Sequence, residues 1–248
     1  MSLSYRSTIN RPSYALLNNN YTYVSRTQWE TGNPLLKSAL SHSVELSYMW
    51  KNTVLQAMYI RQVRNINTVY DYRSQDNVII RQEVNLPSYN AFALVGSQSV
   101  TVKWWYARLQ GVLYCQDLHY GSPVHSYNTP GLKLTLTNRF RLPLGIYAFV
   151  GGTWNTDGAQ GTLHQRASLS LYSTLYKSIK QWTFNLGYYD FANTYRNKNY
   201  IHTNGVVQTE DRKGGSHLLQ LSISYVLRSK KDYRGKGAAK EEKERLGQ

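Results

Sequence analysis

The sequence predicts an all-β protein, an antiparallel transmembrane β-barrel of the outer-membrane type. Segments of about ten residues alternate between apolar and polar side chains, as strands do when one face contacts lipid. The aromatic residues are dominated by 22 Tyr and 6 Trp, against only 5 Phe. Tyr and Trp have one apolar and one polar end, which suits a membrane interface. No stretch approaches the roughly 20 apolar residues of a membrane-spanning helix, so a helical membrane protein is excluded.

About ten strands are predicted along the chain, and several of them alternate clearly. In segment 44–50, Val44, Leu46 and Tyr48 share one face, while Glu45 and Ser47 share the other. The same pattern recurs in the segments Leu132–Leu142, Arg166–Lys177, Trp182–Tyr188 and Leu219–Leu227. We expect the apolar faces to contact lipid and the polar faces to line the lumen.

The other predicted strands rest on weaker patterns. Trp105–Cys115 alternates less regularly, and the opening Ser2–Asn10 completes the set. Three segments are apolar or mixed on both faces and are predicted from β-propensity and spacing, namely Thr53–Val63, Ser88–Val100 and Gly145–Trp154. The lone cysteine, Cys115, cannot form an intramolecular disulfide and is interpreted as a small apolar filler of its strand.

The connections between these strands alternate in length. The short ones are Lys51-Asn52, the stretch around Thr101–Lys103, Pro143-Leu144-Gly145 and Ser178-Ile179-Lys180. The long polar ones are Arg11–Leu36, Asn65–Asn77, Gly121–Thr129 and Tyr195–Ser216. Outer-membrane barrels have short periplasmic turns at one rim and long extracellular loops at the other. This asymmetry favours a barrel, because a soluble sandwich has no reason to keep it.

Two parts are predicted: a barrel segment over residues 1–228 and a charged periplasmic tail over 229–248, which is nearly devoid of apolar residues. The opening residues contain no basic region followed by an apolar core, so no signal peptide is recognised. An outer-membrane protein needs one. The expectation is therefore that the chain is a C-terminal piece of something longer, with about ten strands of a larger barrel.

The formal charge of +15 is consistent with an anionic partner. No nucleic-acid-binding motif accompanies the cations, so nucleic acid is not an expected partner, whereas outer-membrane lipid is. Five cations are predicted on the lumen face, namely Arg108, Lys133, Arg139, Arg141 and Arg166. They could select anionic solutes, but the favoured interpretation is a hydrated wall without particular specificity. Four basic residues fall in a long loop, namely Arg196, Lys198, Arg212 and Lys213. Two interpretations remain open for them: contact with lipid phosphates, or an ordinary solvated loop.

The sequence predicts no catalytic, cofactor or metal site, and no enzyme activity. The histidines are His42, His119, His125, His164, His202 and His217, and none has helical i,i+4 ligand spacing with an acidic partner. Neither a G-x-S-x-G nor a P-loop pattern occurs. Asp117 and His119, with a nearby serine, would be the only residues to consider for hydrolysis.

Two groups of residues near the start carry a family resemblance. They are Arg11-Pro12-Ser13-Tyr14 and, further on, Gly32-Asn33-Pro34 with Leu36. Their order and spacing resemble the outer-membrane β-barrel family of Bacteroidetes, relatives of TonB-dependent receptors. The close of the chain, a strand followed by a basic, Glu/Lys-rich tail, is similar to that family as well.

The resemblance implies a parent protein that takes up or binds large ligands at the cell surface. It also implies partners within that parent, namely an N-terminal plug and earlier barrel strands, together with a ligand that the resemblance does not identify. Two alternatives remain open at this point. One is a soluble all-β glycan-binding module, and the other is a barrel enzyme with catalytic groups clustered on the outer rim.

Overall fold

The computed structural model describes residues 1–213 and 217–227; the predicted tail, 229–248, lies outside them. Within these residues the chain is almost entirely β-structure, with one helical turn, α1 (Tyr14–Leu17), and a 3₁₀ turn at Pro143–Gly145. No helix in the described ranges is long and apolar enough to cross a membrane. The strands are β1 (Ser2–Asn10), β2 (Tyr21–Ser25), β3 (Gln28–Thr31), β4 (Ala39–Trp50), β5 (Thr53–Val63), β6 (Ile66–Arg73), β7 (Val78–Asn85), β8 (Tyr89–Val102), β9 (Trp105–Gln116), β10 (His119–Tyr120), β11 (His125–Ser126), β12 (Gly131–Arg141), β13 (Ile146–Asn155), β14 (Gly158–Gln160), β15 (Leu163–Gln165), β16 (Ser168–Ile179), β17 (Trp182–Tyr189), β18 (Arg196–Thr203), β19 (Val206–Lys213) and β20 (Leu218–Tyr225).

Ten long strands form one antiparallel sheet, which we call the wall. Its order is β1-β4-β5-β8-β9-β12-β13-β16-β17-β20, so each wall strand pairs with the wall strand that follows it in the chain. In the described part of the chain, β1 pairs only with β4 and β20 only with β17, which leaves two open edges. The predicted all-β architecture of about ten antiparallel strands is confirmed, including the three strands predicted from β-propensity and spacing alone.

The wall has one apolar and one polar face, and the apolar face is the more exposed one. Directly paired residues share a face, and one such row crosses seven strands as Tyr48, Leu55, Gly96, Gly111, Leu134, Trp154 and Leu169. On the apolar face Leu94 is 55% exposed and Leu136 45% exposed. A sheet in water buries such a face against another layer. The wall therefore has the polarity of a sheet whose outer solvent is hydrocarbon.

The two rims of the wall differ as the sequence predicts. At one rim, the short-turn rim, β4–β5, β8–β9 and β16–β17 are joined by two-residue turns that open with Lys51, Lys103 and Lys180 at positive φ of 50°, 49° and 53°. The β12–β13 connection contains the 3₁₀ turn. Two of these turns lie one or two residues later than predicted, at 103–104 and 180–181. At the opposite rim the five long connections emerge.

The long connections are folded, which the sequence did not reveal. We call their described residues, 11–38, 64–88, 117–130, 156–167 and 190–213, the cap. Strands of the first two connections form a four-stranded sheet, β2-β3-β7-β6, and strands of the last two form another, β14-β15-β18-β19. The β3–β7 pair within the first sheet is parallel. The predicted long connections are present, but the sequence did not indicate the short strands within them, which pair with strands of the same or a neighbouring connection.

The buried core consists of cap residues together with Tyr89, the first residue of wall strand β8. Leu86, Tyr89, Leu118, Tyr127 and Ala159 form one cluster, in which Leu118 is 0% and Tyr127 1% exposed. Every other buried apolar residue among those described lies in the cap or at the adjoining end of a wall strand. The chain thus combines a membrane-type sheet with a rim structure that is packed like a water-soluble domain.

Candidate functional site

The cap is held together by hydrogen bonds between connections that are distant in the sequence. The Thr203 hydroxyl donates to the Tyr70 carbonyl over 2.9 Å and accepts from the Tyr70 N–H over 2.8 Å, across 133 residues. The Thr162 hydroxyl donates to the Thr68 carbonyl over 3.0 Å. These bonds link the two cap sheets, and because the groups are buried, each bond is costly to lose. The cap is consequently a preorganised structure.

A buried glutamine joins the cap to the wall. Gln116, the last residue of β9, donates its amide to the Tyr127 carbonyl (2.6 Å) and the Gly161 carbonyl (2.9 Å). Its amide oxygen accepts from the Gly161 N–H over 2.9 Å. The Tyr127 hydroxyl in turn donates to the His202 carbonyl. Burial, reinforced by Tyr120, raises the pKa of Tyr127 to about 12, so this donor stays protonated.

A polar cavity of about 300 Å³ opens in the cap between α1, β2, β3 and β7. The lining carries amides, hydroxyls and charged groups, including Asn18, Asn20, Thr22 and Gln82. Arg81 lies at one side, paired with Glu30 and, over 3.4 Å, with Glu83. The cavity therefore offers both hydrogen-bond donors and acceptors, which is the composition that recognises a polar ligand.

The two motifs near the start of the chain flank this cavity, and Gly32 of the second motif lines it. α1 follows Pro12-Ser13, and the N–H groups of Gly32 and Asn33 donate to the carbonyls of Asn18 (3.0 Å) and Leu16 (2.6 Å). A Cβ at position 32 would lie 2.3 Å from the Asn18 oxygen, so only glycine allows this close approach. The Asn33 amide donates to the Glu83 carbonyl over 3.2 Å, which ties the motif to β7. The sequence showed these residues as a resemblance but not the cavity that they form.

The predicted lumen cations fall into two groups. Arg108, Lys133, Arg139 and Arg141 lie on the polar face of the wall, and except for the Lys133–Val112 pair their partners in register on neighbouring strands are polar or aromatic. Arg166 does not: it precedes β16 and forms an ion pair of 2.8 Å with Asp157 in the cap. Although burial raises the pKa of Asp157, hydrogen bonds from the Ala167 N–H and from Arg166 lower it overall. Arg166 therefore belongs to the cap, and β16 begins two residues after it, at Ser168.

The basic loop residues lie on the last cap hairpin. Arg196 pairs with Asp211 over 2.5 Å and Arg212 with Glu210 over 2.5 Å, all on β18 and β19. Lys198 is in register with Asp211 on the same hairpin. Two of the four predicted cations, Arg196 and Arg212, are thus paired with local carboxylates, which for them favours the solvated-loop interpretation over contact with lipid phosphates.

Three histidines of the cap lie close to one another. The rings of His125 and His202 are 4.4 Å apart, and that of His164 stacks on Tyr200 at 4.5 Å. Burial lowers the pKa of His125, and the nearby His202 ring lowers it further. Burial also lowers the pKa of His164. Neutral rings pack better in such a setting than charged ones. No group of three potential metal ligands occurs in residues 1–213 and 217–227.

Asp117 and His119 lie near each other in the chain but have separate partners. Asp117 accepts from the Asn90 amide over 2.8 Å, and His119 Nδ1 contacts the Ser126 hydroxyl over 2.8 Å in the β10–β11 hairpin. Within the described residues no hydrogen bond joins Asp117 to His119, so the arrangement lacks the group that orients a catalytic base. The absence of enzyme activity stays a prediction.

Comparison with known proteins identifies a family. The model of the family described as "Outer membrane protein beta-barrel family" matches residues 1–225. No curated protein and no solved structure matches the chain significantly. The match covers the whole wall and the cap, and it agrees with the exposed apolar face, so the soluble glycan-binding alternative no longer has support. The chain belongs to the outer membrane protein β-barrel family and resides in the outer membrane.

Proposed function

We propose that the chain forms the C-terminal part of the barrel of a TonB-dependent-receptor-like protein, which binds or takes up large ligands at the cell surface. The role of this chain is non-enzymatic: the wall holds the protein in lipid, and the cap recognises the ligand. The observation that carries the proposal is the folded cap. Long loops are extracellular in outer-membrane barrels, and here they form two sheets with their own buried core.

A folded cap favours recognition because its binding groups are already in place. Loops that order only on binding lose conformational entropy at that moment, which weakens the complex. The cap core and the Tyr70–Thr203 link remove most of that loss beforehand. The cavity lined by Asn18, Thr22 and Arg81 is where we place a polar unit of the ligand. Because its lining both donates and accepts hydrogen bonds, hydroxyl-rich oligosaccharides are the first ligands to test.

The two open edges support a larger parent barrel. Unpaired strand edges do not occur in the hydrocarbon region, because each unsatisfied N–H or C=O there costs several kcal/mol. The outer edges of β1 and β20 must therefore be paired in the membrane. We propose that further strands of the same parent protein pair with them, and that a plug domain of that parent fills the lumen.

Cavity filling tests the recognition role. The full chain, purified in mild detergent, should bind at least one member of an oligosaccharide array, and Thr22→Phe should weaken that binding by roughly tenfold or more, equivalent to about 1.4 kcal/mol. The reason is steric, since the phenyl ring would occupy the cavity beside Asn20. Thr27→Phe is the matched control, because Thr27 is exposed on the β2–β3 turn outside the cavity. Absence of oligosaccharide binding, or equal binding by both variants, would contradict the proposal.

Sequencing the genomic DNA upstream of the Met1 codon tests the proposed parent. We expect the reading frame to continue through additional alternating strands, a plug domain and a signal peptide. In TonB-dependent receptors the energy-coupling segment lies at the N-terminus, so finding such a segment upstream would support uptake. A stop codon shortly before Met1 would contradict the parent barrel and leave β1 and β20 to pair with each other.

A further inference from the structure

Charge is segregated between the two ends of the wall. In the described ranges, every aspartate and glutamate except Glu45 lies in the cap, and so do all the ion pairs recorded there. At the short-turn rim (residues 49–54, 101–106, 139–147, 177–183 and 224–227) the charged side chains are all cationic: Lys51, Lys103, Arg139, Arg141, Lys177 and Lys180. The cations of the short-turn rim therefore have no carboxylates beside them within the described ranges, whereas the cap carries nearly as many carboxylates as cations.

Indole rings accompany these cations. Trp50, Trp104, Trp105 and Trp182 all lie at the short-turn rim, and Lys51 is positioned over the Trp50 ring at 4.8 Å. Trp104 is 58% exposed and packs against Phe140 with ring centroids 5.8 Å apart. Indoles concentrate at the boundary between acyl chains and headgroups. The cations are thus placed at the depth of the lipid phosphates.

The β8–β9 turn, Lys103-Trp104, separates two adjoining cavities. On the apolar face lies a cavity of about 530 Å³, lined by Val102, Trp104, Trp105, Asn138, Phe140 and Val150. On the other side of the turn lies a cavity of about 220 Å³. Its lining includes Lys103, Arg139 and Arg141, and it shares both indoles with the first cavity. The Arg141 N–H donates to the Trp104 carbonyl over 2.7 Å, and this bond holds Arg141, the last residue of β12, beside the turn.

We propose that this turn is a binding site for an anionic phospholipid of the periplasmic leaflet. An acyl chain lies in the apolar cavity, and the phosphate lies over the turn at the rim, beside Lys103 and within reach of Arg141 from the polar face. The short turns of outer-membrane barrels face the periplasm, so this rim meets that leaflet. The apolar cavity matches a hydrocarbon chain, and the unbalanced cations match a headgroup with net negative charge. A zwitterionic headgroup matches less well, because its own cation would approach the same side chains.

The proposal is tested by comparing two lipids on the full chain. Phosphatidylglycerol and phosphatidylcholine with brominated acyl chains are titrated into the chain in nonionic detergent, and quenching of indole fluorescence reports binding. Near a surface each Lys or Arg contributes roughly a fivefold preference for anionic lipid. We therefore expect phosphatidylglycerol to quench at a concentration about twentyfold lower, and Lys103→Gln with Arg141→Gln to reduce that ratio to about threefold or less.

Three controls make the result specific. Arg26→Gln with Lys213→Gln removes the same charges from the cap and should leave the ratio unchanged. Val150→Phe fills the apolar cavity and should weaken quenching by both lipids, whereas millimolar inorganic phosphate should not displace phosphatidylglycerol. Added salt should lower the preference of the unaltered chain, so the test does not depend on the variants assembling. The proposal would be overturned if both lipids quenched equally or if salt left the preference for phosphatidylglycerol unchanged. It would also be overturned if the cap variant lost as much of that preference as the Lys103→Gln, Arg141→Gln variant.

Discussion

Leu136→Arg is expected to prevent assembly of the wall in a membrane. Leu136 is the sixth of the eleven residues of β12 and lies on the apolar face, 45% exposed, where lipid would surround it. An arginine at that depth destabilises a membrane barrel by roughly 2–4 kcal/mol. That amount is a large fraction of the stability of a typical folded protein. The measurement is refolding of the full chain into lipid vesicles, followed by heat-modifiable gel mobility and urea unfolding.

Thr135→Arg is the matched control for this prediction. Thr135 precedes Leu136 on the same strand, and its hydroxyl contacts the Thr153 hydroxyl over 3.3 Å on the polar face. That face already carries Lys133 and Arg139 of β12, so another arginine there meets a hydrated environment and should have a mild effect. If the two substitutions were equally harmful, the assignment of the apolar face to lipid would be wrong.

Leu118→Ala is expected to loosen the cap while leaving the wall assembled. Leu118 is fully buried in the cap cluster with Leu86 and Tyr127. Replacing a buried leucine by alanine costs about 2–5 kcal/mol, because apolar contacts are lost and a cavity remains. The wall contributes only Tyr89, the first residue of β8, to this core, so its heat-modifiable mobility should persist. The expected readout is faster cleavage of the cap by trypsin, which finds many Lys and Arg residues there.

Leu35→Ala provides the comparison within the same structure. Leu35 also belongs to the cap but is 81% exposed, so its removal should leave the rate of trypsin cleavage unchanged. Loss of the wall's mobility shift in Leu118→Ala would show that cap and wall fold as one unit. Resistance to trypsin equal to that of the unaltered chain would show that the cap core contributes little to stability.

The wall was predictable because its signal is local. Alternation within 44–50 or 132–142 reports a strand with two different faces, whatever the rest of the chain does. Register and order follow from short turns such as Lys51-Asn52, which force neighbouring strands to pair. The sequence therefore contained the sheet, its two faces and its two unequal rims.

The cap was not predictable because its signal is not local. Strands such as β3 and β14 are three or four residues long and have no pattern of their own, and β3 pairs with β7 across about 50 residues. The cavity, likewise, depends on Gly32 meeting Asn18 and on Asn33 reaching Glu83. The Gly32 motif was the only available sign, and without the tertiary contacts it indicated a family and not a site. Arg166 was misplaced for the same reason, since its partner Asp157 belongs to another segment.

The order of the wall strands has a consequence for how the molecule forms. Each wall strand pairs with the wall strand next to it in the sequence, so the sheet can grow hairpin by hairpin, alternately across a short turn and across one long connection. The Tyr70–Thr203 link, in contrast, joins residues 133 positions apart, and it brings together connections that belong to early and late hairpins. Such a contact becomes favourable only once the intervening strands are in place. The outer surface of the protein is therefore completed last, after the part that lies in the membrane.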